Sequence, residues 1–354
     1  MTAIYLIRHA EAEGNLYRIV QGQRDSTLTD RGWRQVRALQ RRFEGVRVDA
    51  VYSSDLYRAR ATATAIATPR RLQIQGVPDL REICVGDWEE LTFGEIRRRD
   101  PVMLENFGRH MDLWRVNGAE SPRGVLDRAW NFLNAVAPRH DGQTIALVSH
   151  GYILRLLLCK IQGLTLEETG AVAHGDNTAV SLLEYDNGAF RVAYRDDNRH
   201  LQTPELTRVK RKNALEAGLW FREASPDDPL FHTFAADALR ESGRAFDLPT
   251  LLSGAVGRAA LVAYLGDAPA GLLQLGPDSG WMSIVYMKPE YRNQGLGIQL
   301  VGQAVIRTRR NGGEFVRTAA PPDAAFFPDY GFVLSDTLPD GRAVWQKDIR
   351  FPPI

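Results

Sequence analysis

An apolar run ends abruptly in an arginine and a histidine at Ala3-Ile4-Tyr5-Leu6-Ile7-Arg8-His9, and a second, Thr144-Ile145-Ala146-Leu147-Val148-Ser149, ends in His150-Gly151. Such endings suit chemistry on a small anion. A neutral imidazole is a nucleophile, and guanidinium groups beside it disfavour the imidazolium form while offering paired hydrogen bonds to oxyanions. Two imidazoles brought to one small anion could divide the labour, one as nucleophile and the other as hydrogen-bond donor. In one site they would titrate as a pair. Arg58 is a further candidate for binding the anion. Ser53-Ser54-Asp55-Leu56-Tyr57-Arg58 passes from a strand into an alanine-rich helix, and anions bind where helices start at the carboxyl edge of an open sheet.

For these groups to meet, both apolar runs must be buried strands of one parallel sheet, ending at the same edge. Val48 to Tyr52 reads as another buried strand. Glu13-Gly14-Asn15 and Gln21-Gly22 lie in a polar loop, and Thr29 or Asp30 caps a helix whose Trp33, Val36, Leu39 and Phe43 keep helical spacing. Gly118-Ala119-Glu120-Ser121-Pro122 opens another helix, with Val125, Ala129, Phe132, Leu133 and Val136 in phase. Ala179 to Tyr185 and Phe190 to Tyr194 form a hairpin about Asn187-Gly188. Phe93 to about Phe107 reads as a helical cap, with Arg97-Arg98-Arg99 as a solvated face, and such lids select substrates.

A chain of 354 residues exceeds one hydrophobic core, so two domains are expected. With 44 Lys and Arg against 43 Asp and Glu, nothing global favours nucleic acid or a membrane surface as a partner. Cys84 and Cys159 are the only cysteines; they do not support a disulfide framework, and they fit a reducing, cytoplasmic location. No export signal and no apolar run of membrane-spanning length is read. The polar, basic stretch from Arg199 to Ala217, with Pro204 and Arg208-Val209-Lys210-Arg211-Lys212, reads as a connection. The expected domains are 1-200 and 218-354, joined by 201-217.

The two histidine segments and the Arg58 segment, with Leu80-Arg81-Glu82-Ile83-Cys84-Val85-Gly86-Asp87-Trp88-Glu89-Glu90, resemble the histidine phosphatase (phosphoglycerate-mutase-like) superfamily over roughly the first 200 residues. The resemblance implies an α/β fold with a three-layer N-terminal domain. It implies His9 as nucleophile, Arg8, Arg58 and His150 around the phosphate, and Glu82 as general acid. Asn15, Gln21 and Gly151 are expected against the substrate. Glu82 must be protonated to serve, and a dianionic phosphate alongside would raise its pKa; once ionised it can activate water. No metal is called for. One departure stands at Glu90, where a glycine commonly follows the Trp-Glu pair. Phosphatases and mutases share the phosphohistidine, but the short span between the two histidine segments favours hydrolysis of a small-molecule phosphoester. A phosphoglycerate-type mutase is the alternative. His110, His140, His174, His200 and His232 are read as surface or packing residues.

Beyond the connection, Leu219 to Arg222 reads as a strand, Pro226-Asp227-Asp228 starts a helix toward Leu239, and strands Ala260 to Leu265 and Ala270 to Leu275 flank a turn. Met282 to Met287 then runs through Lys288-Pro289-Glu290-Tyr291-Arg292-Asn293-Gln294-Gly295-Leu296-Gly297 into the apolar helix Ile298 to Ile306. A glycine turn between strand and helix offers unpaired amides and the positive end of a helix dipole, which suit a pyrophosphate. Arg292-x-x-Gly295-x-Gly297 after Val285-x-x-x-Pro289 resembles the acetyl-CoA loop of the GNAT N-acetyltransferases, and Ala324 to Phe332 is similar to their closing segment. The resemblance implies a C-terminal α+β GNAT domain. Acetyl-CoA would be held by Met287, Arg292, Asn293, Gln294, Gly295, Leu296 and Gly297, and the acceptor would be an amine or small molecule. Where many members carry a tyrosine that protonates the departing thiolate, this chain has Phe327, with Tyr330 three residues on. A domain that only binds acyl-CoA is therefore the alternative to a second activity.

Overall fold

The computed structural model describes residues 1–203, 206, 218–225, 227–241, 259–276 and 280–354. In chain order, β1 (Thr2–Arg8) leads through α1 (Glu13–Tyr17) and α2 (Asp30–Arg42) to β2 (Ala50–Ser53), α3 (Tyr57–Arg70) and β3 (Ile74–Gly76). Then follow α4 (Phe93–Arg99), α5 (Pro101–Arg109), α6 (Pro122–Val136), β4 (Thr144–Ser149), α7 (Gly151–Ile161), α8 (Leu166–Thr169) and the hairpin β5 (Val180–Asp186) and β6 (Ala189–Asp197).

The six strands lie in the order β3-β2-β4-β1-β5-β6, the first four parallel and the last two antiparallel. Both faces are covered. Ile4, Leu6, Ile145 and Leu147 pack with Val125 and Leu133 of α6 and Leu156 of α7. Ile7, Ala146 and Val148 pack with Val36 and Leu39 of α2 and Ala63 and Ile66 of α3. Strands buried on two sides need apolar residues at every position, which is why β1 and β4 read as continuous runs. Thr29, not Asp30, caps α2, its hydroxyl accepting from the Gly32 N–H; Ser121 caps α6 in the same way through Gly124. The cap region from Phe93 divides into α4 and α5 at Asp100-Pro101, because proline ends one helix and begins the next.

A second sheet occupies the C-terminal part. Its elements are β7 (Trp220–Ala224), α9 (Pro229–Glu241), β8 (Ala260–Leu265), β9 (Ala268–Leu275), β10 (Trp281–Met287), α10 (Gly297–Arg310), β11 (Phe315–Ala320), β12 (Val333–Thr337) and β13 (Ala343–Asp348). The seven strands lie in the order β12-β13-β11-β10-β9-β8-β7, antiparallel except for β10 and β11. That parallel pair is joined only at Trp281 with Arg317 and Met282 with Thr318, and beyond these the two strands part.

Most of the expected connection 201-217, including Arg208 to Lys212, lies outside the described residues. Of its described members, Leu201 and Leu206 are buried against Ala38, and Gln35 Nε2 donates to the Leu206 carbonyl at 2.8 Å. No helix among the described residues is long and apolar enough to cross a membrane.

Candidate active site

The register of β1 on β4 sets Arg8 opposite Ser149, so the next residue of each strand, His9 and His150, emerges at one edge. The His9 N–H donates to the Ser149 carbonyl at 2.9 Å, and the two rings lie 5.1 Å apart between centroids, tilted by 55°. Both are buried, at 4% and 0% exposure. His9 Nδ1 stands 2.7 Å from the Ala10 carbonyl. A carbonyl only accepts, so Nδ1 carries the proton and Nε2 keeps its lone pair, the tautomer a nucleophile needs. His150 Nε2 lies 2.8 Å from Ser54 Oγ, while its Nδ1 is buried with no protein partner. A Ser54 hydroxyl that donates to Nε2 leaves the His150 proton on Nδ1; His150 is fully buried behind the His9 ring and, unlike His9, is not among the residues that line the cavity described below.

Burial holds both imidazoles well below the ordinary histidine value, and the Arg58 and Arg8 cations push the same way. Arg58 is buried, its Nη1 and Nη2 donating to the carbonyls of Arg24 (2.9 Å) and Gly22 (2.7 Å), and its Nε has no protein partner. Arg8 Nη1 donates to the Gly175 carbonyl at 2.5 Å, and its Nε is likewise without a protein partner. Each guanidinium is thus fixed by backbone carbonyls with a donor to spare. The Glu82 carboxylate accepts from the N–H of Ile83 (3.1 Å) and Tyr152 (3.3 Å). Burial raises its pKa above the usual value, against the pull of Arg58.

Support for Glu82 comes from behind. Its carbonyl accepts from Arg128 Nη2 and Gln23 Nε2, each at 3.2 Å, and Arg128 also binds the Asp79 and Arg81 carbonyls and pairs with Glu120 at 3.0 Å. Glu120, from the Gly-x-Glu-Ser segment, therefore braces the loop that carries Glu82 and does not line the cavity.

That cavity measures about 820 Å³, and Arg8, His9, Asn15, Gln21, Arg58, Glu82 and Gly151 all line it. Asn15 Oδ1 accepts from the Ala12 N–H at 3.0 Å, and Gln21 Nε2 donates to Ser26 Oγ. Gly151 opens α7, where a Cβ would come within 3.2 Å of the Arg8 guanidinium. Sequence reasoning missed Arg18, Tyr152, Arg155 and His174, which line the same cavity. His174, read as a surface or packing residue, keeps an exposed edge there, with Arg155 Nη1 3.1 Å from its Nε2. Arg155 had a signal, as the one charge within the apolar run from Gly151 to Cys159. The loop carrying His174 had none.

The departure at Glu90 has a physical account. Glu90 adopts φ +65°, the left-handed conformation that glycine takes freely, so the turn is kept at a cost of about 1 to 2 kcal/mol. Its carboxylate accepts from Arg310 of α10 at 2.6 and 3.1 Å, a contact glycine could not make.

The depressed histidines have a consequence for stability. The unfolded chain takes up protons on these imidazoles near the ordinary value of 6.5 and the folded chain only well below it. The stability involved is present above that value and lost as pH falls, at up to about 1.4 kcal/mol per pH unit for each histidine. The melting temperature is expected to drop between about pH 7 and pH 5, and to drop less in His150→Gln. Equal slopes for the two proteins would contradict it.

A second cavity of about 560 Å³ adjoins the end of β10 that is not paired with β11, and Met287, Arg292, Asn293, Gly295, Gly297, Phe327 and Tyr330 are among its lining residues. Two of the expected cofactor residues are not brought in. Gln294 Nε2 is turned to the Glu290 carbonyl at 2.7 Å, and the Leu296 side chain is buried in the core, because the residue before α10 must anchor that helix. Arg292 is tied to Glu241 (2.6 Å) and the Met287 carbonyl (2.7 Å). Among the described residues no group of three or more His, Cys, Asp or Glu could hold a metal ion.

Comparison with known proteins bears on the part of the chain that holds the first sheet. The chain is 36% identical over 164 residues to the metal-independent phosphoserine phosphatase of Arabidopsis thaliana, covering 46% of this chain and 69% of that one. It is 30% identical over 216 residues to a probable phosphoglycerate mutase of Cronobacter sakazakii, covering 60% of this chain and all of that one. Among solved structures, YhfR of Bacillus stearothermophilus matches with a TM-score of 0.55 at 34% identity, covering 56% of this chain and 99% of that one. The second sheet is thus additional to that protein. Residues 4–198 match the family described as the histidine phosphatase superfamily, branch 1, and the chain belongs to it.

Proposed function

We propose that the first unit, residues 1-200, hydrolyses small-molecule phosphomonoesters through a phosphohistidine on His9. The observation that carries this is the pair of buried rings 5.1 Å apart beside two guanidinium groups with donors to spare. His9 Nε2 attacks phosphorus as the ester P–O bond breaks, and Glu82 gives its proton to the departing alkoxide. Arg8, Arg58 and His150 Nδ1 stabilise the charge on the equatorial oxygens. The Glu82 carboxylate then takes a proton from water as the hydroxide attacks the phosphohistidine, which frees phosphate and restores His9. Ile19, Phe93, Leu104 and Phe107 line the outer cavity, so it accepts an alcohol with an apolar portion. Phosphate release from phosphoserine and p-nitrophenyl phosphate tests the reading; release from neither would reject it. The mutase reading, favoured by the resemblance to a probable phosphoglycerate mutase, predicts dependence on a bisphosphate primer.

The second unit, residues 218-354, we read as a GNAT-type module that binds acetyl-CoA. The parting of β10 from β11 leaves an unpaired strand edge along the cavity, where an extended amide-bearing arm could pair as an added strand. At its mouth the turn before α10, with Gly295 at φ +68°, offers amides to a pyrophosphate. Phe327 has no proton to give, but Tyr330 lines the same cavity and is the candidate acid for acyl transfer to an amine. Titration calorimetry with acetyl-CoA is expected to show binding that Gly295→Ala weakens about tenfold, the strain of a side chain at positive φ. Absence of heat with the wild type would dispose of the module reading.

A further inference from the structure

The helix α1 has two faces, and a different unit uses each. Asn15 and Arg18, at its end, line the phosphatase cavity, whereas Leu16 and Tyr17, with Ile19, pack into the core of the second unit. Tyr17 is 2% exposed. It fits because α10 has a glycine beneath it: a Cβ on Gly302 would lie 2.6 Å from Tyr17 Cβ and 2.7 Å from Tyr17 Cγ, closer than non-bonded carbons approach. About two helical turns further along α10, Arg309 Nη2 pairs with the Glu13 carboxylate at 3.0 Å, the glutamate being 4% exposed. Arg309 is itself anchored on the Ile349 carbonyl at 2.7 Å. The strip after α1 is held too. Val20 N–H donates to the Leu91 carbonyl and Phe93 N–H to the Arg18 carbonyl, while Thr92 Oγ1 donates to the Leu219 carbonyl at 2.6 Å.

A five-residue helix has no stability of its own, so its position comes from what packs on it. We propose that α10 is a positioning element for the phosphatase site: Gly302 and Arg309, acting through Tyr17 and Glu13, set where Asn15 and Arg18 stand and so how tightly the phosphoester binds. The proposal rests on the reading of the first cavity as the phosphoester site. The match to YhfR takes in 99% of that protein and only 56% of this chain, so the support that α10 gives α1 is additional to what the two proteins share. Asn15 and Arg18 line the cavity but take no part in the attack by His9 or in the proton transfers of Glu82, which makes binding, and not the bond-breaking step, the quantity that responds.

The test is steady-state hydrolysis of p-nitrophenyl phosphate by the full chain. Gly302→Ala must displace α1, because the atoms it meets belong to the stem of Tyr17 and not to a mobile tip. It is expected to raise KM about three- to tenfold while kcat stays within about twofold, a modest misplacement of binding groups. Arg309→Met strands a buried carboxylate and should raise KM likewise; adding Glu13→Gln removes that charge and should recover most of the loss. Gly271→Ala is the control for general strain: its Cβ would meet the Tyr286 carbonyl oxygen at 2.4 Å, in the second sheet and away from α1, and KM should not move. Unchanged KM in both Gly302→Ala and Arg309→Met, or an equal rise in Gly271→Ala, overturns the proposal. Wild-type turnover in His9→Ala would instead mean that the site itself has been misread.

Discussion

His9→Ala is expected to abolish phosphate release, with kcat falling by at least about 10³-fold and up to about 10⁶-fold, the range seen when a covalent nucleophile is removed. The structure offers no substitute. His150 Nε2 is engaged with Ser54, and its Nδ1 carries a proton in the tautomer that this contact favours, so it has no lone pair turned to phosphorus. Binding should survive, because Arg8 and Arg58 are held by the carbonyls of Gly175, Arg24 and Gly22 and not by the histidine. Inorganic phosphate should therefore still bind the variant, as read by calorimetry, although turnover is gone. The wild type, quenched in alkali during turnover, should carry phosphate on one histidine, and His9→Ala should carry none. His150→Ala should lose less, about 10²- to 10³-fold, as it removes one donor to the transition state and keeps the nucleophile. Retained turnover in His9→Ala would end the phosphohistidine reading.

Much of this site is legible in the amino-acid sequence, for reasons that are physical and local. A parallel strand buried on both faces announces itself as an unbroken apolar run, and a charged pair at its end can only lie at the sheet edge. That logic finds Arg8, His9 and His150; a helix-start arginine is by itself more often solvated, and it is the family resemblance that singles out Arg58. The glycine turn before α10 is visible because strand, turn and helix adjoin along the chain. What stays hidden depends on contacts between distant segments. His174 reaches the cavity on a loop with no periodicity, so nothing local reports its direction. Leu296 sits inside a motif but faces the core, since a turn of six residues cannot present every side chain to one ligand. Glu90 is recognisable as a departure, yet its partner Arg310 belongs to the other unit. Leu16 and Tyr17 pass for part of a polar loop because α1 is too short to display a helical repeat, and the surface that buries them is supplied by α10.

Glu82→Gln separates the two halves of the reaction. The variant keeps nearly the same shape but cannot give a proton to the leaving alkoxide, so kcat on phosphoserine should fall about 10²- to 10⁴-fold, the usual worth of a general acid. With p-nitrophenyl phosphate the phenolate leaves without help, and His9 should be phosphorylated at close to the normal rate. Hydrolysis of the phosphohistidine still lacks its base. The expected trace is a burst of nitrophenolate matching one phosphorylated His9 per chain, followed by slow turnover, with phosphoenzyme accumulating as it does not in the wild type. The same substitution changes the pH dependence of stability with a defined sign. Burial raises the Glu82 pKa above the ordinary 4.5, so the folded chain holds this proton where the unfolded chain has released it. Stability is then lost as pH rises through that interval, and Glu82→Gln, which has no proton to lose, should gain on the wild type over the same range. Normal turnover of phosphoserine by Glu82→Gln would remove Glu82 from the acid's role. A slow phase without a burst would mean that the substitution had damaged the attack by His9 and not the proton transfers that follow.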